Sequence, residues 1–155
     1  LEVFRSGPLM QITQRLAELV GLPVQHVEPL QIARYQRGER YDFHHDACTG
    51  TRRQLGRAAT VLVYLSSARG GETLFPLVGS GPERGTGGEL RSAAQDLLVQ
   101  PDAGHEGEPF CSRAGGFRAS PRRGSVLMWW NLDMVGACDR RTLHAGCPVT
   151  QGEKW

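Results

Sequence analysis

The first regular pattern along the chain is an amphipathic helix close to its N-terminus. Apolar residues recur there at three- and four-residue steps, with polar residues between them, at Leu9, Ile12, Leu16 and Leu19. Gly21 follows and Pro23 comes two residues later, which is a usual way for a helix to stop. The sequence therefore predicts a helix over residues 9–20.

Beyond the helix the pattern changes to short runs typical of β-strands. The run at 58–65 is mostly apolar and rich in β-branched residues, which predicts a central strand buried on both faces. Shorter runs predict strands at residues 30–35, 40–44, 72–75, 124–130, 141–144 and 152–155. Short strands after one leading helix, with no strand–helix–strand alternation, favour a mainly β fold, an antiparallel sandwich or jelly roll.

A long polar stretch interrupts the strands. Glycine, proline and charged residues dominate from about position 79 to 121, and only residues 90–99 indicate a helix. At roughly 40 residues the stretch is well above the usual loop length. We interpret about residues 78–110 of this stretch as an inserted loop or active-site lid in a single domain spanning 1–155.

Composition limits the classes of function. The net charge is +2 over 155 residues, which gives no argument for a nucleic-acid partner. No apolar run is long enough to cross a bilayer, and the N-terminus lacks the features of a signal peptide. We therefore expect no membrane anchor within this chain. It begins at Leu1 rather than Met, so we interpret it as mature or trimmed, with its native targeting lost.

The cysteines leave two interpretations open. The chain has four, with no Cys-x-x-Cys spacing, which argues against a structural zinc site or a thioredoxin-type redox pair. Four cysteines allow three pairings, and the sequence does not choose among them. Disulfides would fit a secretory compartment and buried thiols a cytosolic one. The four are Cys48, Cys111, Cys138 and Cys147.

The most informative chemical signal is a pair, His44 and Asp46, followed about a hundred residues later by His144. Two histidines and one carboxylate in this order are typical of a facial triad, which binds Fe(II) on one side and leaves other coordination positions open. On a strand, His44 and Asp46 would point to the same face and His45 to the opposite face. The pattern predicts His44, Asp46 and His144 as metal ligands and excludes His45.

The context of these residues resembles the catalytic domain of prolyl 4-hydroxylases, in the plant, algal and collagen-type branch of the Fe(II)/2-oxoglutarate-dependent dioxygenases. The resemblance covers about residues 5–155, apart from the insertion at 78–110. Four blocks carry it in the expected order: Tyr35-x-x-Gly38-x-x-Tyr41-x-x-His44-x-Asp46, Arg57-x-Ala59-Thr60-x-Leu62-x-Tyr64-Leu65, Gly70-Gly71-Glu72-Thr73-x-Phe75-Pro76 and Leu143-His144-Ala145-Gly146-Cys147-Pro148-Val149-x-x-Gly152-x-Lys154-Trp155.

The resemblance implies a double-stranded β-helix (jelly roll) with a supporting N-terminal helix, and a role for each matched residue. His44, Asp46 and His144 would hold the iron. Lys154 would bind the distal carboxylate of 2-oxoglutarate with help from Tyr35 and Thr73, and Arg57 would act in substrate binding and catalysis. The roles fall on Tyr35, His44, Asp46, Arg57, Thr73, His144 and Lys154.

The implied reaction is 4-hydroxylation of a peptidyl proline, coupled to decarboxylation of 2-oxoglutarate to succinate and CO₂. It would use O₂, with ascorbate to rescue oxidised iron, and a proline-rich peptide or protein as substrate. Two alternatives stay open. One is a hydroxylase of the same class acting on peptidyl lysine or a small molecule, because substrate choice depends on loops. The other is a catalytically silent jelly-roll domain that binds peptide or glycan.

The resemblance also bears on location and on the chain's end. Relatives of this branch work in the endoplasmic reticulum on secreted proteins, which favours the secretory pathway and at least one disulfide. They continue through one more strand after the Lys154-Trp155 pair. We therefore expect either a truncated C-terminus or a sheet that lacks an edge strand. The peptide motif and the oligomeric state do not follow from the sequence.

Overall fold

The computed structural model describes residues 7–47, 56–79, 111 and 116–155. The predicted insertion at 78–110 therefore lies outside the described residues except at its first two positions, and so does the helix indicated at 90–99. Contacts divide the chain into two compact units, 1–33 and 34–155, so the single domain expected over 1–155 stays a prediction. Within the described ranges no helix is both long and apolar enough to cross a membrane.

The first unit contains the predicted helix. Helix α1 spans Gly7–Val20, two residues longer at its start than expected, and a short 3-10 turn follows at Val24–His26. Gly21 ends the helix with φ 74°, and its N–H donates to the carbonyl of Ala17. Ala17 is the buried residue of α1, whereas Ile12 and Leu19 are about half exposed. Leu9 and Leu16 of the predicted apolar set are partly buried together with Ala17, so the buried side agrees only in part with the apolar spacing.

The second unit is built from short strands, and all of its strand pairs are antiparallel. The strands are β1 (Tyr41–His44), β2 (Ala59–Val63), β3 (Arg69–Gly70), β4 (Thr73–Phe75), β5 (Phe117–Ala119), β6 (Val126–Trp130), β7 (His144–Gly146) and β8 (Val149–Gln151). Strand β7 lies between β1 and β4 in a four-stranded sheet of order β1-β7-β4-β5, while β2 pairs with β6 and β3 with β8.

The register of the four-stranded sheet brings distant histidines together. His44 at the end of β1 is the partner of His144 at the start of β7. On the other side of β7, Gly146 is the partner of Thr73. Leu74 of β4 is fully buried and packs in an apolar cluster beneath the sheet. The sheet therefore joins two parts of the predicted metal motif that lie far apart in sequence.

Several strand predictions are confirmed, and others are wrong in position or extent. The strands expected at 40–44, 72–75 and 124–130 correspond to β1, β4 and β6. Strand β2 exists, but its residues are only partly buried, because it pairs with β6 alone in a two-stranded sheet. Strand β5 was missed because its three residues lie in a stretch interpreted as loop, and the two-residue β3 is too short to show a pattern.

The predicted strand at 30–35 is wrong. Tyr35 forms only an isolated bridge with Lys154, and Ile32 is 75% exposed, because none of the described strands pairs with residues 30–34. At the C-terminus the strand is β8, before the predicted 152–155, where only the bridge at Lys154 pairs.

The strand predicted at 141–144 is mostly a 3-10 turn at Arg140–Thr142. Asp139 caps the turn, because its carboxylate accepts a hydrogen bond from the backbone N–H of Arg141 at 2.9 Å. Strand β7 begins only at His144.

A disulfide joins Cys111 to Cys147, directly after β7. Both residues are almost fully buried beside Leu74. Cys138 is disulfide-bonded as well. The expectation of at least one disulfide is therefore confirmed for the described part of the chain.

Candidate metal centre

Three of the predicted ligands meet at one point. His44, Asp46 and His144 each offer a ligand atom, and these atoms lie within 4.8 Å of one another. Nε2 of His44 lies 3.6 Å from Oδ1 of Asp46, and Nε2 of His144 lies 3.9 Å from Oδ2 of the same carboxylate. The two imidazole rings are 4.2 Å apart between centroids. Two nitrogen donors and a carboxylate therefore face a common space.

Each histidine of the trio is oriented by a backbone carbonyl two residues before it. Nδ1 of His44 lies 2.8 Å from the carbonyl oxygen of Asp42, and Nδ1 of His144 lies 2.9 Å from that of Thr142. A carbonyl only accepts, so Nδ1 carries the proton in both rings and Nε2 keeps its lone pair. Burial lowers the pKa of His144 to about 4, which keeps that ring neutral at physiological pH.

The Asp46 carboxylate is held by groups from β2 and the residues before it. The hydroxyl of Thr60 donates to Oδ2 at 2.6 Å. Nη1 of Arg57 lies 3.6 Å from Oδ1, so the guanidinium contributes a positive charge beside the carboxylate. The predicted functional residue Arg57 thus lies next to the trio, and its side chain is 39% exposed.

His45 points away from this space, as the alternation of side chains predicts. It is buried, and its Nε2 lies 3.2 Å from the carbonyl oxygen of Arg140. Burial lowers the pKa of His45, so this ring is neutral as well. It does not belong to the group of possible metal ligands found among the described residues.

Aromatic rings cover one side of His144. Phe75 stacks on the imidazole at 5.4 Å, and Trp129 meets it edge-on at 4.9 Å. Phe75 and Trp129 also contact each other at 5.1 Å. These rings account for much of the burial of His144 and leave its Nε2 edge toward Asp46.

Lys154 is a buried cation beside the same sheet. Its side chain passes into the protein with 6% of the residue exposed, and Nζ lies over the rings of Tyr35 and Tyr64 at 5.3 and 5.7 Å. No carboxylate of the described chain forms a salt bridge with it. Burial lowers the pKa of Lys154 to about 8, and the negative charge of Glu72 opposes this shift. An ammonium in these surroundings favours an anionic ligand.

Lys154 lies on the face of β7 that carries His144. A Cβ built on Gly146 would lie 3.7 Å from Nζ of Lys154, an ordinary contact distance, so the ammonium is on the side toward which position 146 faces. Residues two apart on a strand point to the same face, about 7 Å apart along it. The Lys154 ammonium and the His144 imidazole therefore lie on the same side of β7.

Tyr64 is a site residue that the sequence analysis did not single out. Its hydroxyl and that of Thr73 form a buried hydrogen bond of 2.8 Å beneath Lys154. Burial raises the pKa of Tyr64 and of Tyr35, which keeps both phenols neutral and able to donate. A tyrosine in the apolar run at 58–65 resembles a core residue, so only its place in the motif block could have identified it.

A separate cavity of about 660 Å³ lies against residues on either side of Asn131. Arg141 lines it, and its guanidinium is paired with the carboxylate of Asp139 at 2.7 Å. This pair raises the pKa of Arg141 and lowers that of Asp139. The cavity contains none of the three trio residues.

The donor set fits a ferrous ion. Two neutral imidazoles and one carboxylate form the facial arrangement typical of non-haem Fe(II), and each histidine has the outer hydrogen bond that usually fixes a ligating ring. No cysteine thiolate takes part, because the described cysteines are disulfide-bonded.

Comparison with known proteins agrees with this donor set. The sequence model of the 2OG-Fe(II) oxygenase superfamily matches residues 30–155. The chain belongs to the 2OG-Fe(II) oxygenase superfamily. Membership confirms the prediction of a 2-oxoglutarate-dependent dioxygenase domain that uses Fe(II), 2-oxoglutarate and O₂.

Individual relatives of this oxygenase domain are prolyl 4-hydroxylases. The chain is 32% identical over 158 residues to Prolyl 4-hydroxylase 1 of Arabidopsis thaliana, covering 99% of this chain and 47% of that protein. It is 35% identical over 148 residues to Probable prolyl 4-hydroxylase 6 of the same plant, covering 93% and 45%. The chain thus spans about half the length of the curated relatives it matches.

Solved structures confirm the fold of the oxygenase domain. The viral collagen prolyl hydroxylase of Paramecium Bursaria Chlorella virus-1 superposes with a TM-score of 0.58 in a truncated form, at 22% identity, covering 96% of this chain and 65% of that one. Its 2-oxoglutarate complex gives 0.56 at 23% identity, covering 94% and 66%. The mainly β jelly-roll prediction is confirmed.

Proposed function

We propose that this chain carries the catalytic site of a peptidyl-proline 4-hydroxylase, which couples hydroxylation to decarboxylation of 2-oxoglutarate to succinate and CO₂. The observation that carries the proposal is that the His44, Asp46 and His144 trio lies near the buried Lys154, beside the strand that carries His144. The similarity to plant prolyl 4-hydroxylases supports the choice of proline as substrate.

In this proposal His44, Asp46 and His144 hold Fe(II). Bound there, the iron supplies the site at which O₂ and 2-oxoglutarate react. The protein's part is to keep both Nε2 atoms unprotonated through the carbonyls of Asp42 and Thr142, and to hold the Asp46 carboxylate beside the Arg57 guanidinium. Three protein ligands leave coordination positions for the co-substrate and oxygen.

Lys154 binds the distal carboxylate of 2-oxoglutarate by a charge-assisted hydrogen bond. Among the described residues its ammonium has aromatic neighbours rather than a carboxylate in salt-bridge contact, which supports this role. Thr73 and Tyr64, joined by their hydroxyls, and Tyr35 across the ammonium supply neutral donors to the same anion. A dicarboxylate that meets both the trio and Lys154 would be oriented at each end.

Arg57 takes part in substrate binding. Its side chain is partly exposed while its guanidinium stays near the Asp46 carboxylate, which supports a place at the border between the iron site and an arriving peptide. The aromatic rings of Phe75 and Trp129 shield His144 from water on the other side. Exclusion of water until the peptide binds limits unproductive oxidation.

The test is coupled turnover. Purified protein is given Fe(II), 2-oxoglutarate, ascorbate and a proline-rich peptide, and succinate is measured with the peptide mass. We expect succinate to rise strongly when peptide is added, and the peptide to gain one oxygen atom at a proline. Succinate formation that peptide leaves unchanged would favour another hydroxylase substrate. Binding of peptide without any succinate would favour a silent domain, and both outcomes reject the proposal.

We further propose that the protein works in the endoplasmic reticulum or secretory pathway on proline-rich proteins, with ascorbate maintaining the iron. The Cys111–Cys147 disulfide supports an oxidising compartment. Fractionation of the source cells, with antibody detection of the full-length protein, tests the location. Recovery in the cytosol with both cysteines reduced would contradict it.

A further inference from the structure

A chain of three hydrogen bonds runs from β6 to the Asp46 carboxylate. The indole Nε1 of Trp129 donates to Oδ1 of Asn131 at 2.8 Å, and Nδ2 of Asn131 donates to Oγ1 of Thr60 at 2.8 Å. The hydroxyl of Thr60 then donates to Oδ2 of Asp46 at 2.6 Å. Trp129 and Thr60 are direct partners in the β2–β6 pair, so the strand register fixes the distance between them that Asn131 bridges.

The direction of every proton in the chain is fixed by chemistry. An indole nitrogen only donates, so the atom of Asn131 that faces it must be the carbonyl oxygen. The amide nitrogen of Asn131 therefore faces Thr60 and occupies one lone pair of its hydroxyl. The single proton of Thr60 is left for Oδ2 of Asp46, which accepts it.

Asn131 is the rigid centre of this arrangement. It is fully buried, and its backbone N–H donates to the carbonyl of Ala58 while its carbonyl accepts from the N–H of Asp139. The backbone of Asn131 is held by two hydrogen bonds, and its amide group by two more. Another side-chain rotamer would break the two amide bonds in a fully buried place. The Thr60 hydroxyl therefore cannot turn away from Asp46 without breaking a buried bond.

We infer that Trp129, Asn131 and Thr60 are positioning residues that orient the carboxylate of the metal centre. The Thr60 hydroxyl holds Oδ2, which lies 3.9 Å from Nε2 of His144. The other oxygen, Oδ1, faces Nε2 of His44 and Nη1 of Arg57, each at 3.6 Å. Ligation through one oxygen is what a facial triad requires if three positions are to stay open. Groups that hold a ligand in this way usually change metal affinity by about 10–100-fold when they are removed.

This inference rests on the proposed role of Asp46, so the experiment separates the two. Affinity for Co(II) is measured by calorimetry on the 2-oxoglutarate-free protein, with Asp46→Ala as the reference for loss of the ligand. Unchanged Co(II) affinity in Asp46→Ala would reject the metal centre itself. Loss of binding in Asp46→Ala with wild-type affinity in Thr60→Val would reject only the positioning chain.

The expected result is a 10–100-fold weaker Co(II) affinity for Thr60→Val, which keeps the shape of threonine but removes the hydroxyl. Thr60→Ser should restore the affinity to within about threefold, because it keeps the donor. Thr13→Val is the matched control: it removes a hydroxyl that donates to a backbone carbonyl on α1. Its Co(II) affinity should equal that of the wild type.

A second set of variants tests whether Asn131 acts through Thr60. The double variant Thr60→Val/Asn131→Ala should bind Co(II) no more weakly than Thr60→Val, because coupled residues are not additive. If the factors by which the two single variants weaken Co(II) affinity multiply in the double variant, Asn131 does not act through Thr60. Thermal unfolding of the metal-free proteins shows whether each variant folds. Should Thr60→Val fail to fold, Trp129→Phe takes its place, and wild-type Co(II) affinity in that variant would overturn the inference.

Discussion

At the scale of single residues, the candidate site depends on individual hydrogen bonds that determine which atom of each side chain can bind a metal. His44 and His144 use the same device, a donation from Nδ1 to the carbonyl two residues earlier. The two rings come from distant parts of the chain and still present the same edge. This repetition is a physical reason to regard them as a matched pair of ligands.

Replacing His144 by alanine should abolish both metal binding and turnover. The substitution removes one of the three ligand atoms that lie within 4.8 Å of one another. Calorimetry with Co(II) and the succinate assay check this. His45→Ala is the control, because His45 lies outside the trio, and it should keep one metal per chain. Turnover that survives in His144→Ala would exclude this histidine from the metal centre.

Lys154→Ala should raise the concentration of 2-oxoglutarate needed for half-maximal turnover by at least about 30-fold. This factor corresponds to the loss of roughly 2 kcal/mol for a buried charge-assisted hydrogen bond. The Fe(II) requirement should change far less, since Lys154 is not among the trio. Steady-state kinetics with each varied in turn measures both. Equal effects on the two requirements would contradict the assignment.

The lowered pKa of Lys154 predicts a pH dependence for co-substrate binding. The ammonium binds the anion, and in the free protein it loses its proton as the pH rises through about 8. Because only the charged form binds the anion, the affinity for 2-oxoglutarate should fall by about 30-fold between pH 7 and pH 9.5. Tyr35 and Tyr64 stay neutral there because burial raises their pKa.

Lys154→Arg isolates this effect, since a guanidinium keeps its charge over the whole range. Its affinity for 2-oxoglutarate, measured by calorimetry, should vary little with pH even if it is weaker overall.

The lowered pKa of Lys154 also makes the stability of the protein depend on pH. Between about 8 and 10.5 the unfolded chain binds a proton that the folded chain has lost, so stability of the free protein rises with pH there.

At the scale of elements, the sequence predicted the motifs better than their secondary structure. Side-chain alternation correctly separated His45 from its neighbours, although β1 ends at His44 and Asp46 lies just beyond it. The strand at 30–35 failed because a β-like run needs a partner strand, and pairing is not visible in one segment. The role of Tyr64 was missed because its hydroxyl partner, Thr73, is recognisable only in the folded sheet.

The junction of β3 and β8 provides a prediction at this scale. Gly70 has φ 68°, and a Cβ there would lie 2.5 Å from the carbonyl oxygen of Pro148. Gly124 has a similar φ of 82° with no atom within 4 Å of that position. Gly124→Ala should cost about 1–2 kcal/mol in the free energy of unfolding from the backbone conformation alone.

Gly70→Ala should cost clearly more than Gly124→Ala, because the backbone clash adds to the same conformational penalty. Urea denaturation of the two variants beside the wild type measures the difference. Equal destabilisation would show that the β3–β8 junction adjusts freely. In that case close approach of the two strands would not explain glycine at position 70.

At the scale of the whole molecule, the Cys111–Cys147 disulfide ties two distant parts of the chain together across 36 residues. Cross-links of this length stabilise by about 3–4 kcal/mol, mainly by restricting the unfolded chain. The double variant Cys111→Ala/Cys147→Ala should lose about that free energy of unfolding in denaturant. Peptide mapping without reductant identifies the bond in the wild type. A variant as stable as the wild type would contradict a stabilising role.

The contact of Trp129 with His144 also gives the protein its own optical reporter. The indole lies 4.9 Å from the imidazole, close enough for an open-shell ion at Nε2 to quench its fluorescence. Occupancy of the centre could then be followed by emission alone, with no dye or assay enzyme. Trp129→Phe would remove that signal and leave the emission of Trp130 and Trp155 as the background.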